Sequence, residues 1–306
     1  MQVEEELARQ GPERDTLLTV GVFDGVHRGH QHLINHLREE ARKRNLLSGV
    51  VSFKHHPRQV LRPQSGLPHL TSLPERTRLL KGLGIDFIVT LSFTPALAQL
   101  TARQFVALLK QHLRMQGLVI GPDFALGRGR EGNAASLVAL GKEMAFTVDV
   151  VPPIVIDGEV ASSTAVRGAL AEGDMKGVSE LLGRHFGVEG RVTTGSERGR
   201  VLGFPTANLA FQPHRALPPD GVYISRAYID AEPHQAVTNI GQRPTFDAGE
   251  RTVEVYLLDF EGDLYGRELR IELIERLRAE MRFASAEELK AQIAKDVEQA
   301  RAALRA

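Results

Sequence analysis

Two kinds of hydrophobic pattern alternate through the first half of this chain, and that alternation restricts the fold more than any single residue does. Apolar runs return at Leu17–Phe23, Leu46–Phe53, Ile85–Phe93, Gly117–Phe124 and Ala145–Val155. Helical patterns lie between several of them. Leu33, Ile34, Leu37 and Ala41 recur at helical spacing, and Pro74 opens a short segment ending near Gly82 or Gly84. Thr101 stands where a cap would precede Phe105, Leu108, Leu109 and His112. Strands joined by helices at this rhythm form βαβ units, which predicts a parallel sheet covered by helices.

After about residue 156 the texture changes. Ser162-Ser163-Thr164 precedes a predicted helix, and Asp174 caps a second that ends near Gly183. From Gly187 onward, β-rich runs at Gly221–Asp230, Thr252–Phe260 and Glu268–Glu275 are broken by Pro, Gly and Asn, as in a small antiparallel barrel. Ser285 and Glu288 form a capping-box pattern ahead of a final helix with Leu289, Ile293 and Val297 in line. A domain boundary is therefore placed near 183–187, giving domains 1–183 and 184–306.

Composition removes several function classes. Lys plus Arg and Asp plus Glu number 38 each, so no bulk field draws the chain to nucleic acid or anionic lipid. With no cysteine, thiol nucleophiles and thiolate metal sites are excluded. The opening residues are polar, and no apolar run reaches the roughly 18 residues a membrane helix needs. The expectation is a soluble, cytoplasmic protein, with self-association left open.

Three stretches carry candidate chemistry. GVFDGVHRGH (21–30) places His27 and His30 where a strand passes into a helix. There the unpaired N–H groups and the positive dipole end favour a phosphate. Gly21, Gly25 and Gly29 permit close backbone approach, and an imidazole beside phosphate is expected to hold its proton better. SSTAVR (162–167) adds hydroxyls at a helix start and the forked guanidinium of Arg167. In GRVTTGSERGRVLGFPTANL (190–209), Arg198 and Arg200 could wrap phosphates. Thr206 and Asn208, two apart, offer the oxygen ligands Mg²⁺ accepts, although without a matching motif the stretch reads first as a turn and an edge strand. Glu254 lies inside a run apolar on both faces, where burial would make it a base unless an arginine such as Arg278 pairs with it.

The H-x-G-H form after an apolar strand resembles the nucleotidyltransferase signature, and SSTAVR resembles its companion. Together with His56-Pro57-Arg58, Gly121-Pro-Asp123-Phe124, Gly-Phe-Pro-Thr-Ala-Asn (203–208), Asn239-Ile-Gly241-Gln-Arg243-Pro-Thr245 and Leu277-Arg278-Ala-Glu280, the whole chain resembles the bifunctional prokaryotic riboflavin kinase/FMN adenylyltransferase family. That resemblance implies an N-terminal Rossmann-like parallel-sheet nucleotidyltransferase domain. It also implies a C-terminal antiparallel split β-barrel of riboflavin kinase type with a C-terminal helix. Riboflavin, FMN and ATP would be substrates, FMN and FAD products, and Mg²⁺ the metal.

By the same resemblance, His27 and His30 stabilise adenylyl transfer. Gly21, Phe23, Asp24, Gly25, Gly29, Asp123, Ser163, Thr164 and Arg167 bind ATP and its phosphates. In the kinase half, Glu254 is the general base and Thr206 and Asn208 hold the metal. Gly195, Arg200, Gly203, Pro205 and Arg278 line the nucleotide and flavin site there. Lys54 departs from the acidic or small polar residue common in relatives. Two rival readings are retention of one activity only, and a barrel that docks nucleic acid, which the balanced charge opposes.

Overall fold

The computed structural model describes residues 2–61, 64, 66–195, 199, 202–242 and 251–305, and the chain divides into two compact units, Met1–Ser163 and Thr164–Ala306. In the first unit, β1 (Thr16–Gly21), β2 (Leu47–Phe53), β3 (Phe87–Leu91), β4 (Met115–Ile120) and β5 (Thr147–Val150) form one sheet. Their order is β3-β2-β1-β4-β5, with every pair parallel. Each strand overlaps one of the five apolar runs. The central runs are continuous because both faces are covered there. Leu18, Val20 and Val51 pack against Phe105, Val106 and Leu109, whereas Leu17 and Val50 pack against Ile34 and Leu37 of the Arg28–Lys43 helix.

The expected helices at Leu73–Gly82 and Ala102–Leu113 are present, each started by its side-chain cap. Ser72 accepts the Glu75 N–H, and Thr101 forms a reciprocal capping box with Gln104. Such caps contribute about 1 kcal/mol each.

In the second unit, β6 (Phe186–Thr193), β7 (Ala207–Ala210), β8 (Gly221–Ile229), β9 (Glu232–Gln242), β10 (Arg251–Leu257) and β11 (Glu268–Ala279) close a barrel. Its order is β6-β7-β10-β9-β8-β11, antiparallel throughout. Alternate side chains fill the interior, where Tyr223 is fully buried and the Ser225 and Thr238 hydroxyls bond at 2.8 Å. The helix Ala286–Arg305 covers outward-facing Val222, Ile224 and Val237 with Val297 and Ala300. The helix Met175–Leu182 and all but the first residue of the helix Ser163–Glu172 also fall in this unit, the former started by Asp174 and stopped by left-handed Gly183 (φ 70°).

Nothing in the polar opening residues predicts the helix Gln2–Ala8. It forms because Val3 and Leu7, one turn apart, enter the core beside Leu91 and Leu97. Glu6 then latches it. Its carboxylate accepts the Ser92 amide and hydroxyl, each at 2.7 Å, and the Lys54 ammonium at 2.9 Å. Lys54 thus has a structural partner in Glu6.

Burial alone would raise the Glu6 pKa, but the Ser92 and Lys54 hydrogen bonds prevail and hold it at about 2, below its ordinary 4.5. A depressed carboxylate stabilises the fold above its unfolded pKa and loses that contribution as pH falls through the folded one. Glu6→Gln should therefore lower Tm at pH 7. The gap from the unsubstituted chain should close between pH 4.5 and about 2 in melts followed by circular dichroism.

Candidate active sites

The first site grows from the turn after β1. Phe23, Gly25 and Val26 all have left-handed backbone, with φ of 54°, 82° and 42°. For a β-branched valine this is a true outlier, costing on the order of 1–3 kcal/mol. The cost is offset because Phe23 and Val26 are buried with Ile34, Leu37 and Val50. The turn delivers His27 as N-cap of the Arg28–Lys43 helix, its Nδ1 accepting the His30 N–H at 3.4 Å. The two imidazoles stack with centroids 3.6 Å apart, and the Phe23 ring meets His30 edge-on at 5.1 Å.

Gly29 is required by packing, since a Cβ there would lie 2.5 Å from the Ala161 carbonyl oxygen. At Gly21 a Cβ would press on the Phe23 ring at 3.0 Å. Ser163 Oγ donates to the Asp24 carbonyl at 2.9 Å, which joins the start of SSTAVR to the histidine turn. Thr164 and Arg167 follow on the same helix, exposed and half-buried respectively. Asp123 is exposed on the loop after β4, at the same carboxyl edge of the sheet as Gly21, and its carbonyl accepts from Arg130.

Burial first, and then the charges of His27 and Arg76, push the His30 pKa well below its ordinary 6.5. Its Nδ1 is buried with no hydrogen-bond partner among the described residues. The Asp24 carboxylate is engaged by the Leu70 and Thr71 amides and the Thr71 hydroxyl, all at 3.0–3.1 Å. Sequence reasoning missed Thr71 and Arg76, which belong to no recognisable phosphate motif.

The second site lies on the outer face of the barrel. The antiparallel ladder sets Glu254 opposite Asn208 on β7 and opposite Asn239 on β9. Directly opposed residues share a face about 5 Å apart, so the carboxylate stands between two carboxamides. The apolar enclosure expected for Glu254 is therefore not what the ladder builds. Val253, Val255 and Leu257 face the interior, while Glu254 is half-buried on the other side.

Gly203 is left-handed (φ 89°), and after it Phe204 packs edge-on against Tyr256 at 5.4 Å, which sets Pro205 and Thr206 beside β10. Gly195 closes over Asn208, where a Cβ would fall 2.0 Å from the amide nitrogen. A cleft of about 450 Å³ adjoins Thr206, lined by Pro205, Leu257, Phe260, Asp263 and Tyr265. Arg198, Arg200 and Arg243-Pro-Thr245 lie outside the described residues.

Thr206 and Asn208 supply hard oxygen donors, a set that suits Mg²⁺ only when nucleotide phosphates and water complete its shell. Among the described residues no three His, Cys, Asp or Glu side chains gather as metal ligands.

Arg278 is held differently from a free ligand-binding cation. It forms a two-pronged pair with Asp296 on the final helix at 2.8–3.1 Å, with the carboxylate side chain only 3% exposed. Replacing Arg278 by Met would strand that carboxylate. The expected loss is about 3 kcal/mol, read as an earlier midpoint in urea unfolding of the barrel and restored in part by adding Asp296→Asn.

A family model described as FAD synthetase matches residues 9–165, and one described as riboflavin kinase matches residues 182–304. The chain is 42% identical over 289 residues to a bifunctional riboflavin kinase/FMN adenylyltransferase of Escherichia coli (strain K12), covering 94% of this chain and 92% of that relative. It is 41% identical over 305 residues to the Pseudomonas fluorescens protein of the same description, covering 99% and 97%. A crystal structure described as a macrolide-efflux protein from Streptococcus pneumoniae superimposes with a TM-score of 0.90 at 31% identity, over 98% of this chain and 97% of that one. Among the described residues of this chain, no helix is long and apolar enough to cross a membrane. With both halves matched and the relatives aligned over nearly their full length, the chain belongs to the bifunctional riboflavin kinase/FMN adenylyltransferase family.

Proposed function

We propose that this chain makes FAD from riboflavin in two steps, with residues 184–306 phosphorylating riboflavin and residues 1–183 adenylylating the FMN formed. The observation that carries the kinase step is the ladder register that sets Glu254 opposite Asn208, two residues from Thr206. The ribityl 5′-oxygen attacks the γ-phosphorus of ATP while Glu254 takes the hydroxyl proton, and ADP departs. Thr206 and Asn208 would hold Mg²⁺ arriving on the ATP phosphates, where it neutralises their charge. Gly195 and Gly203 let the chain lie close to the nucleotide, and the cleft beside Thr206, with Phe260 and Tyr265 in its wall, has the chemistry to take an adenine ring.

In the second step an oxygen of the FMN phosphate attacks the α-phosphorus of another ATP, and pyrophosphate leaves. The attacking dianion needs no protein base, so catalysis consists of alignment and charge stabilisation. His27 and His30 act at the helix start on the charge that develops. Ser163, Thr164 and Arg167 hold the departing pyrophosphate, and Asp123 orients the adenosine and flavin side. The substrates are small dissolved molecules. The cytoplasm as the place of action rests on the chain's balanced charge and the absence, among described residues, of a membrane-crossing helix.

The test separates the two sites. With riboflavin, ATP and Mg²⁺, the unsubstituted chain should yield FMN and then FAD on chromatography. His30→Ala should slow FAD formation by about 10²–10³ while FMN accumulates. Glu254→Gln should slow FMN formation by about 10²–10⁴, yet FAD should still form from added FMN. Loss of both reactions in either folded variant would show that the two steps do not have separate sites.

A further inference from the structure

The histidine turn is held from outside by a segment that neither phosphate motif includes. Residues 70 and 71 lie 46 and 47 positions from Asp24, and they reach it through four hydrogen bonds. Thr71 is central to this contact. It is 3% exposed, its Oγ1 donates to the Asp24 carboxylate at 3.0 Å, and the same oxygen accepts the Gly25 N–H at 3.0 Å. One hydroxyl therefore spans the two residues between left-handed Phe23 and left-handed Val26.

We infer that Thr71 is a positioning residue for adenylyl transfer: its hydroxyl clasps Asp24 and Gly25, keeps the turn wound, and so holds His27 and His30 stacked at the helix start. The inference rests on the proposed adenylyl-transfer role of this turn. Two further features support it. The clasp and the Ser163 bond grip the same residue, one through its carboxylate and the other through its carbonyl, which leaves Asp24 little freedom to shift. Five residues after Thr71, Arg76 is 4% exposed and donates to the Phe53 carbonyl at the end of β2. Its charge is close enough to act on both Asp24 and His30, so the buried carboxylate of the clasp has a cation nearby. In-line transfer is sensitive to displacement of the stabilising groups, which is why a hydroxyl remote from the phosphorus can govern the rate.

Thr71→Val keeps the shape and deletes both hydrogen bonds, whereas Thr71→Ser keeps the hydroxyl. In the full chain, Thr71→Val should lower kcat for FMN adenylylation by about 10–100-fold with KM for ATP nearly unchanged. Thr71→Ser should restore the rate, and riboflavin phosphorylation by the same molecules should be unaffected in both. NMR of the imidazole ring signals gives a readout independent of turnover: those of His27 and His30 should shift and broaden in Thr71→Val and return in Thr71→Ser. Ring signals identical to those of the unsubstituted chain, an unchanged kcat, or a loss shared equally by both activities would overturn the clasp. If the unsubstituted chain forms no FAD, the proposed function fails instead, and the ring signals still decide whether Thr71 positions the histidines.

Discussion

The left-handed turn at residues 23–26 governs the first half of the molecule. Three of its four residues occupy backbone conformations that favour glycine, yet only one is glycine. Such a turn persists only where its surroundings over-determine it. Here Phe23 and Val26 are buried in the core, the Asp24 carboxylate takes amides from residues 70 and 71, and Ser163 donates to the Asp24 carbonyl. What emerges from the turn is the N-terminus of a helix with two stacked imidazoles, the arrangement on which the proposed adenylyl-transfer site rests.

The barrel solves a different problem by register. A one-residue slip in the β7–β10 pairing would send Glu254 to the interior and Val255 to the surface. The buried Val253, Val255 and Leu257 oppose that slip, so the same side chains that fill the core also fix the polar row of Asn208, Glu254 and Asn239. Gly195 then lies against Asn208 in that row, where a side chain would collide. The Arg278–Asp296 pair ties the final helix to the strand that closes the barrel, which makes Arg278 part of the scaffold beside the site.

Much of this was legible in the linear pattern. All five parallel strands overlap apolar runs, which are most continuous where both faces of the sheet are buried, and Ser72, Thr101 and Asp174 cap helices the pattern predicts. Both sites lie in stretches whose residue types already pointed to phosphate. The helix Gln2–Ala8 was not legible, since two apolar residues in a polar segment become a signal only when a core exists to receive them. The downward push on the His30 pKa was not legible for a related reason: burial and the nearby charges of His27 and Arg76 are properties of the folded chain.

By itself the sequence determined the strand–helix alternation, the change to antiparallel strands, and the residue types able to meet phosphate and metal, because these depend on local periodicity and side-chain chemistry. Only the tertiary structure decided that Thr71 grips Asp24, that Asn208 and Asn239 flank Glu254, and that Arg278 belongs to Asp296. Those contacts join residues 15 to 47 positions apart. No local preference encodes them. They follow from the burial and register of everything between.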